Sequence, residues 1–277
     1  MQAHLVPYGY SSRHPHFAVE AGKNVALGGD TVWPANPAGV NRGYRDGVLR
    51  EDGTLIRATA ASGTVIYRGD QFGEEYVGNA FSPEPGANLI KRYVIEDRPG
   101  EIEAEARYAY EGREFLTSTD ERFRPVNIYN SPDGSLYVVD MYRGILEHAS
   151  HLTEYLRNHA VNHDLHLPTG KYGRIYRIVR EDKNINYDVP QFSQMNPEEW
   201  VKFLSHKNGL LRDLAQQVLV QSSISSLIPK IEAIVIDEAY VPYVRLHALW
   251  TLEGYDRTVY SLKSLSDLAL EALKDPG

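Results

Sequence analysis

The feature that most limits the fold is a change of hydrophobic period near residue 194. Upstream, apolar residues come in runs of a few positions cut by Gly, Pro, Asn and Asp. Downstream, Leu211, Leu214, Ala215, Val218 and Leu219 fall at i, i+3, i+4, i+7 and i+8, the stripe of a buried helical face. A period of 2 and a period of 3.6 cannot serve one element, so the chain divides into a β part followed by a helical part. Its 277 residues, 42% of them hydrophobic, suffice for two domains, each with its own core. The fold class expected is α+β.

Residues 1–57 are loop text, with Gly28-Gly29-Asp30, Trp33-Pro34-Ala35-Asn36-Pro37 and Glu51-Asp52-Gly53, and room for short strands at most. Strands are expected at Thr64–Arg68, Asn79–Ser82, Leu89–Ile95, Glu101–Ala106, Val126–Tyr129 and Ser135–Asp140. Ser131-Pro132-Asp133-Gly134 joins the last two as a hairpin, with Pro at i+1 and Gly at i+3 of a type I turn. Short strands at this spacing indicate a propeller or a sandwich. Two echoes favour the propeller. Val65-Ile66-Tyr67 recurs as Asn127-Ile128-Tyr129, and Ile90-Lys91-Arg92-Tyr93-Val94 as Ile175-Tyr176-Arg177-Ile178-Val179. The second copy carries an insertion at 143–172, His-rich and helical near 150–159.

From 195 to 277 the text is helical. Asn196 is placed as an N-cap, with Pro197 at the first helical position and Glu199 at N3. Arg212-x-x-Ala215-x-x-x-Leu219 returns 33 positions on as Arg245-x-x-Ala248-x-x-x-Leu252. Helix pairs at that period stack into a HEAT-like solenoid, because each pair alone leaves an apolar face uncovered.

Composition narrows the function. With 29 basic against 37 acidic residues the net charge is −8, and no basic stretch exists to neutralise phosphates, so no nucleic-acid partner is expected. The absence of cysteine rules out disulfides, thiol catalysis, Cys-ligated zinc and covalent haem attachment within these residues. No signal peptide is expected after Met1, since neither a basic nor an apolar region follows it, and no apolar run is long enough to span a bilayer.

Few residues carry the marks of chemistry. Arg122 and Arg124, at i and i+2 of an extended chain, would project to one side with Phe123 opposite, a grip suited to a polycarboxylate or a phosphate. The alternative is a solvated strand edge paired to Asp120 and Glu121. His148 and His151, and His159 and His163, have the i,i+3 and i,i+4 spacings of metal-binding pairs, with His166 following. No acid stands at a fixed metal spacing from them, so no metal ligand is assigned and a polar surface helix is the reading preferred. Glu101–Glu105 reads as a half-exposed strand, and Gly28-Gly29-Asp30 opens no helix. Trp200 and Trp250 are expected in the helical core; Trp33 has no stacking partner at useful spacing.

Asp120-Glu121-Arg122-Phe123-Arg124-Pro125-Val126-Asn127 and Ser131–Gly144, with Gly63–Asp70, Gly78–Phe81 and Gly173–Ile178, resemble the soluble quinoprotein glucose/sorbosone dehydrogenase-like β-propellers. The resemblance is closer to the large bacterial membrane-bound dehydrogenase-domain proteins, which append HEAT repeats and often a cytochrome c domain. It covers about residues 58–255. It implies a partial six-bladed propeller of about two blades, with 1–57 as a loop-rich propeller segment, 58–182 as blades and 195–277 as HEAT-like repeats. Upstream blades and a haem-bearing domain would lie outside this fragment. It also implies that Arg122 and Arg124 bind pyrroloquinoline quinone, with Ca2+ and a histidine base in the upstream blades. The family's cofactor-contacting lysine falls within Ser82–Asn88, where this chain has none and carries Glu84.

Two functions therefore stand side by side. One is an oxidoreductase module that takes hydride from a sugar or other alcohol to the quinone and passes electrons to a cytochrome c, in an extracytoplasmic, periplasmic or membrane-associated setting. The other is a non-catalytic propeller–HEAT scaffold binding glycans or proteins, with protein partners on the helical repeats. The arginine pair favours the first and the missing lysine the second. For the fragment alone, Arg122→Ala and Arg124→Ala are expected to change stability little but to weaken the binding of small polycarboxylates.

Overall fold

The computed structural model describes residues 30–37, 47–96, 105–146, 152–168, 173–182 and 189–274. It is a mixed α+β structure, with strands in antiparallel sheets in the N-terminal half and helices in the C-terminal half. No closed barrel or propeller is identified among the described residues. The chain forms two compact units. The first comprises residues 1–67, 75–129 and 136–178; the second comprises 68–74, 130–135 and 179–277.

In the first unit, β1 (Val65–Ile66), β2 (Ala80–Glu84), β3 (Leu89–Glu96) and β4 (Glu105–Tyr108) form an antiparallel meander, and β5 (Leu116–Thr117) pairs with the start of β3. β3 is central, which is why Leu89, Ile90 and Tyr93 are buried. Lys91 is buried there as well. Its Nζ donates to the Thr31 carbonyl at 2.8 Å and to Glu114 at 3.1 Å, with the rings of Trp33 and Tyr108 4.5 and 4.1 Å away. Trp33 and Tyr108 meet edge to face at 5.8 Å, so Trp33 has the aromatic partner that its sequence neighbourhood did not show. Val32, Leu55, Ala87 and Leu89 close a small core beneath the loop segments.

A second sheet runs β6 (Pro125–Asn130), β7 (Leu136–Asp140), β8 (Arg174–Ile178). The turn after β6 is the expected one. Gly134 N donates to the Ser131 carbonyl and Ser131 N to that of Ser135, while Gly134 takes φ 81°. That is a type I turn ending in a left-handed residue, and a Cβ on Gly134 would lie 2.2 Å from Asp70 Oδ1. The strand echoes are not structural equivalents: Tyr67 is fully buried while Tyr129 is 53% exposed, and Ile90 is buried while Ile175 is 72% exposed. Like composition produced like text at an interior strand and at a sheet edge. Between β7 and β8 lies α1 (Glu154–Asn162), started by Thr153, whose hydroxyl accepts from Leu156 N.

The second unit holds α2 (Pro197–Phe203), α3 (Gly209–Ser222), α4 (Ile228–Ile236), α5 (Pro242–Gly254) and α6 (Leu262–Ala272). Asn196 and Glu199 form a complete capping box on α2. The 33-residue repeat has a physical basis. Ala215, Leu219, Ala248 and Leu252 have no exposed surface, so they are the small and large knobs by which α3 and α5 pack. The repeated arginines also act alike: Arg212 donates to the carbonyls of His206 and Lys207, and Arg245 to that of Val235. Trp200 packs on this core, but Trp250 is 53% exposed on α5 and is not a core residue.

Candidate functional site

The sequence-predicted arginines lie in the first unit, in a segment whose shape is set by its own short polar residues. Ser118 Oγ accepts from Asp120 N at 3.0 Å, Asp120 Oδ1 from Arg122 N at 2.9 Å, and the Asp120 carbonyl from Phe123 N at 2.9 Å. These bonds wind residues 120–123 into a turn just before β6. The extended conformation expected for Arg122–Arg124 is therefore corrected: alternation does not govern the pair. Asn88, held at φ 56° in the β2–β3 turn, donates to the carbonyls of Phe123 at 2.6 Å and Glu121 at 3.2 Å.

Arg124 is 2% exposed, and each of its three guanidinium nitrogens donates to a backbone carbonyl. Nη1 reaches Pro85 O at 2.6 Å, Nε reaches Arg143 O at 2.9 Å and Nη2 reaches Gly144 O at 3.0 Å. Burial pushes its pKa down to about 10, against the opposing pull of Glu121, Asp140, Asp120 and Glu84. Its own N–H donates to Asp140 Oδ1 at 2.7 Å. Arg122 is partly exposed and its Nη2 donates to the Asp164 carbonyl at 2.9 Å. The structure thus brings both arginines to the inserted segment, Arg124 at its start and Arg122 near its end. The neck of that insertion is tight, since a Cβ on Gly144 would lie 2.4 Å from the Leu165 carbonyl oxygen. The burial of Arg124 and its three bonds to backbone carbonyls run against the expectation that it can be removed with little loss of stability.

Glu121, which the sequence reading considered only as an ion-pair partner, completes the grip. Helix α1 buries Leu156 and Ala160 and turns His159 and His163 to one side, their ring centroids 4.0 Å apart. Glu121 Oε1 lies 2.6 Å from His159 Nε2, and Oε2 lies 2.6 Å from His163 Nδ1. Burial raises the Glu121 carboxyl, but the hydrogen bonds with His163 and then His159 outweigh it and hold the carboxyl below its usual range. One donor atom from each residue falls within 4.8 Å of the others, close enough to share a cation. The histidine spacing was visible in the sequence. The acid stands 38 residues before His159, so no local motif could reveal it. His148 and His151 lie outside the described residues, while His166 Nδ1 lies 3.2 Å from the Ala160 carbonyl.

A family model described as a domain of unknown function, DUF7133, matches residues 1–182. The chain belongs to the DUF7133 family. Arg122, Arg124, Glu121, His159 and His163 and their partners from Pro85 to Leu165 all lie inside the DUF7133 segment, and the helices from Pro197 onward lie beyond it. Comparison with curated proteins and with solved structures finds no match for the chain.

Proposed function

We propose that this chain is a non-catalytic scaffold in which a propeller-type β segment displays a clamped helical insertion and precedes a HEAT-like array. The observation that carries this reading is Arg124, whose three nitrogens are all given to the backbone carbonyls of Pro85, Arg143 and Gly144. A guanidinium buried on carbonyls holds a loop in place; a guanidinium that binds a carboxylate ligand must present its fork. The antiparallel meander β1–β4 and the consecutive strands β6–β8 support a propeller-type reading, and the 33-residue helix repeat suits a solenoid. The partners would be proteins or glycans. On α5, Tyr243, Leu246 and Trp250 are 48%, 52% and 53% exposed, a row of side chains suited to a protein partner.

Pyrroloquinoline quinone fits this arrangement poorly. Arg124 is occupied, and the segment that would carry the cofactor lysine holds Glu84, 2% exposed and accepting from the N–H of Ala60 and of Gly86. The second reading, a fragment of a sugar or alcohol dehydrogenase delivering electrons to a cytochrome c, rests on the resemblance of Asp120–Gly144 and on Arg122. An extracytoplasmic location would follow from the same resemblance. No helix among the described residues is long and apolar enough to cross a membrane.

Titration of the chain with the quinone and Ca2+, followed by quinone absorbance and by dye reduction with glucose, separates the two. The scaffold reading expects no saturable binding in the wild type, R122A or R124A. Saturable binding by the wild type that R122A abolishes would establish the dehydrogenase reading instead.

A further inference from the structure

We propose that Glu121, His159 and His163 form a binding site for a divalent transition-metal ion of the zinc class, with one coordination position left open. The donor set is independent of the scaffold reading and points to the class of ion. Two imidazole nitrogens and one carboxylate are ligands for Zn2+, Co2+ or Fe2+, whereas Ca2+ and Mg2+ take oxygen donors almost exclusively. Three protein ligands leave a tetrahedral ion one position short, and the half-exposed His163 marks the side from which solvent would fill it.

The geometry is close to what such an ion needs. Metal bonds of about 2.0–2.2 Å at tetrahedral angles put neighbouring ligand atoms roughly 3.3–3.5 Å apart. Here each carboxylate oxygen lies 2.6 Å from its imidazole nitrogen, and one ligand atom from each residue lies within 4.8 Å of the others. An ion entering the cluster takes the place of the protons now shared there, opens each carboxylate–imidazole contact by about 0.7–0.9 Å and draws the more widely spaced ligand atoms together.

The supports are rigid in the way metal ligands require. His159 lies in the last turn of α1 and His163 is its C-cap, whose N–H donates to the His159 carbonyl at 3.1 Å, so the end of the helix fixes their separation. The acidic ligand is fixed too, because its own carbonyl accepts from Asn88 and the neighbouring Arg122 is tied to Asp164. Side chains of Glu121 and His159 are only 18% and 16% exposed, so water competes weakly for two of the three ligands. The ion would bolt the inserted helix to the turn before β6, adding a metal bond to a contact the arginines already make.

The test uses the full chain, stripped with a chelator and titrated calorimetrically with Zn2+, Co2+, Mg2+ and Ca2+. One equivalent of Zn2+ or Co2+ should bind, and Mg2+ and Ca2+ should not. His163→Asn is the mildest variant, since His163 is the helix C-cap with a half-exposed side chain, and the change leaves the helix interior untouched. It should weaken Zn2+ binding at least tenfold, and Glu121→Gln and the double variant His159→Asn/His163→Asn should weaken it further, with far-UV circular dichroism unchanged for His163→Asn. The Co2+ complex should show the intense visible bands of low coordination, and these should shift when azide enters the open position. No Zn2+ or Co2+ binding by the wild type would overturn the proposal. So would equal binding by His163→Asn or by the double variant, which would place the ion on other histidines.

Discussion

Replacing Arg124 by Ala should unfold the β unit far more easily, by an amount that can be worked from its bonds. The side chain donates to three carbonyls at 2.6, 2.9 and 3.0 Å from a site only 2% exposed. Hydrogen bonds to a charged group are each worth about 1.5–3 kcal/mol net, but these three share one desolvation penalty, so their sum overstates the effect. Removing Arg124 leaves three carbonyls without their donor, at about 1–3 kcal/mol for each that water cannot reach, and the Ala variant adds a cavity where the stem lay. We expect about 4 kcal/mol for Arg124→Ala. Lys, which keeps the charge but not the planar fork, should lose roughly half as much, about 2 kcal/mol. Arg122→Ala, removing one partly exposed bond to Asp164, should cost at most about 1 kcal/mol. Urea denaturation with hydrogen exchange read at β6 and β7 reports the β unit separately from the helices. With a slope of about 2 kcal/mol per M, the Ala variant should shift the midpoint by about 2 M. A shift under about 0.3 M, or one no larger than that of Arg122→Ala, would refute the reasoning, since Arg124 could then not be the group that holds the neck of the insertion.

Three further changes probe other parts of the fold. Glu84 is buried and burial lifts its carboxyl above the usual value of 4.5, so between that value and its native one the folded state binds the proton more tightly. Stability should therefore fall as pH rises through that window and level off above it; Glu84→Gln should flatten the profile in thermal melts from about pH 4 to pH 8, and an unchanged slope would contradict the assignment. The Tyr255 hydroxyl is buried with no partner among the described residues, and burial pushes its pKa up to about 12. Tyr255→Phe should stabilise the helical unit by about 0.5–1 kcal/mol, read as a higher melting temperature; a loss would mean that the hydroxyl is satisfied. Gly134→Ala should destabilise by about 1–3 kcal/mol in a denaturant melt, because φ 81° and the 2.2 Å approach to Asp70 both exclude a Cβ.

What could be read from the sequence follows the range over which each signal acts. The period change, the Asn196 cap and the Ser131–Gly134 turn are local, fixed by neighbours within a few residues, and they stand in the structure as read. The 33-residue repeat was legible because burial imposes the same small-large pair, Ala215 with Leu219 and Ala248 with Leu252, wherever such helices pack. The site was legible by half. Arg122, Arg124, His159 and His163 were all singled out, but their partners are backbone carbonyls and a distant acid, and neither leaves a trace in spacing. The i, i+2 spacing of Arg122 and Arg124 predicts an extended segment, where Ser118 and Asp120 instead bend the chain. Trp250 failed for a related reason: an aromatic residue on an amphipathic helix does not say which face it occupies.

The β2–β3 turn and the segment before β6 trade bonds in both directions. Asn88 gives its amide hydrogens to Glu121 and Phe123, and Arg124 returns a bond to Pro85. Neither loop can peel away without the other, although some thirty-five positions separate them along the chain. A protease probing this surface would therefore meet a single latch rather than two loose ends, and nicking either loop should free both at once.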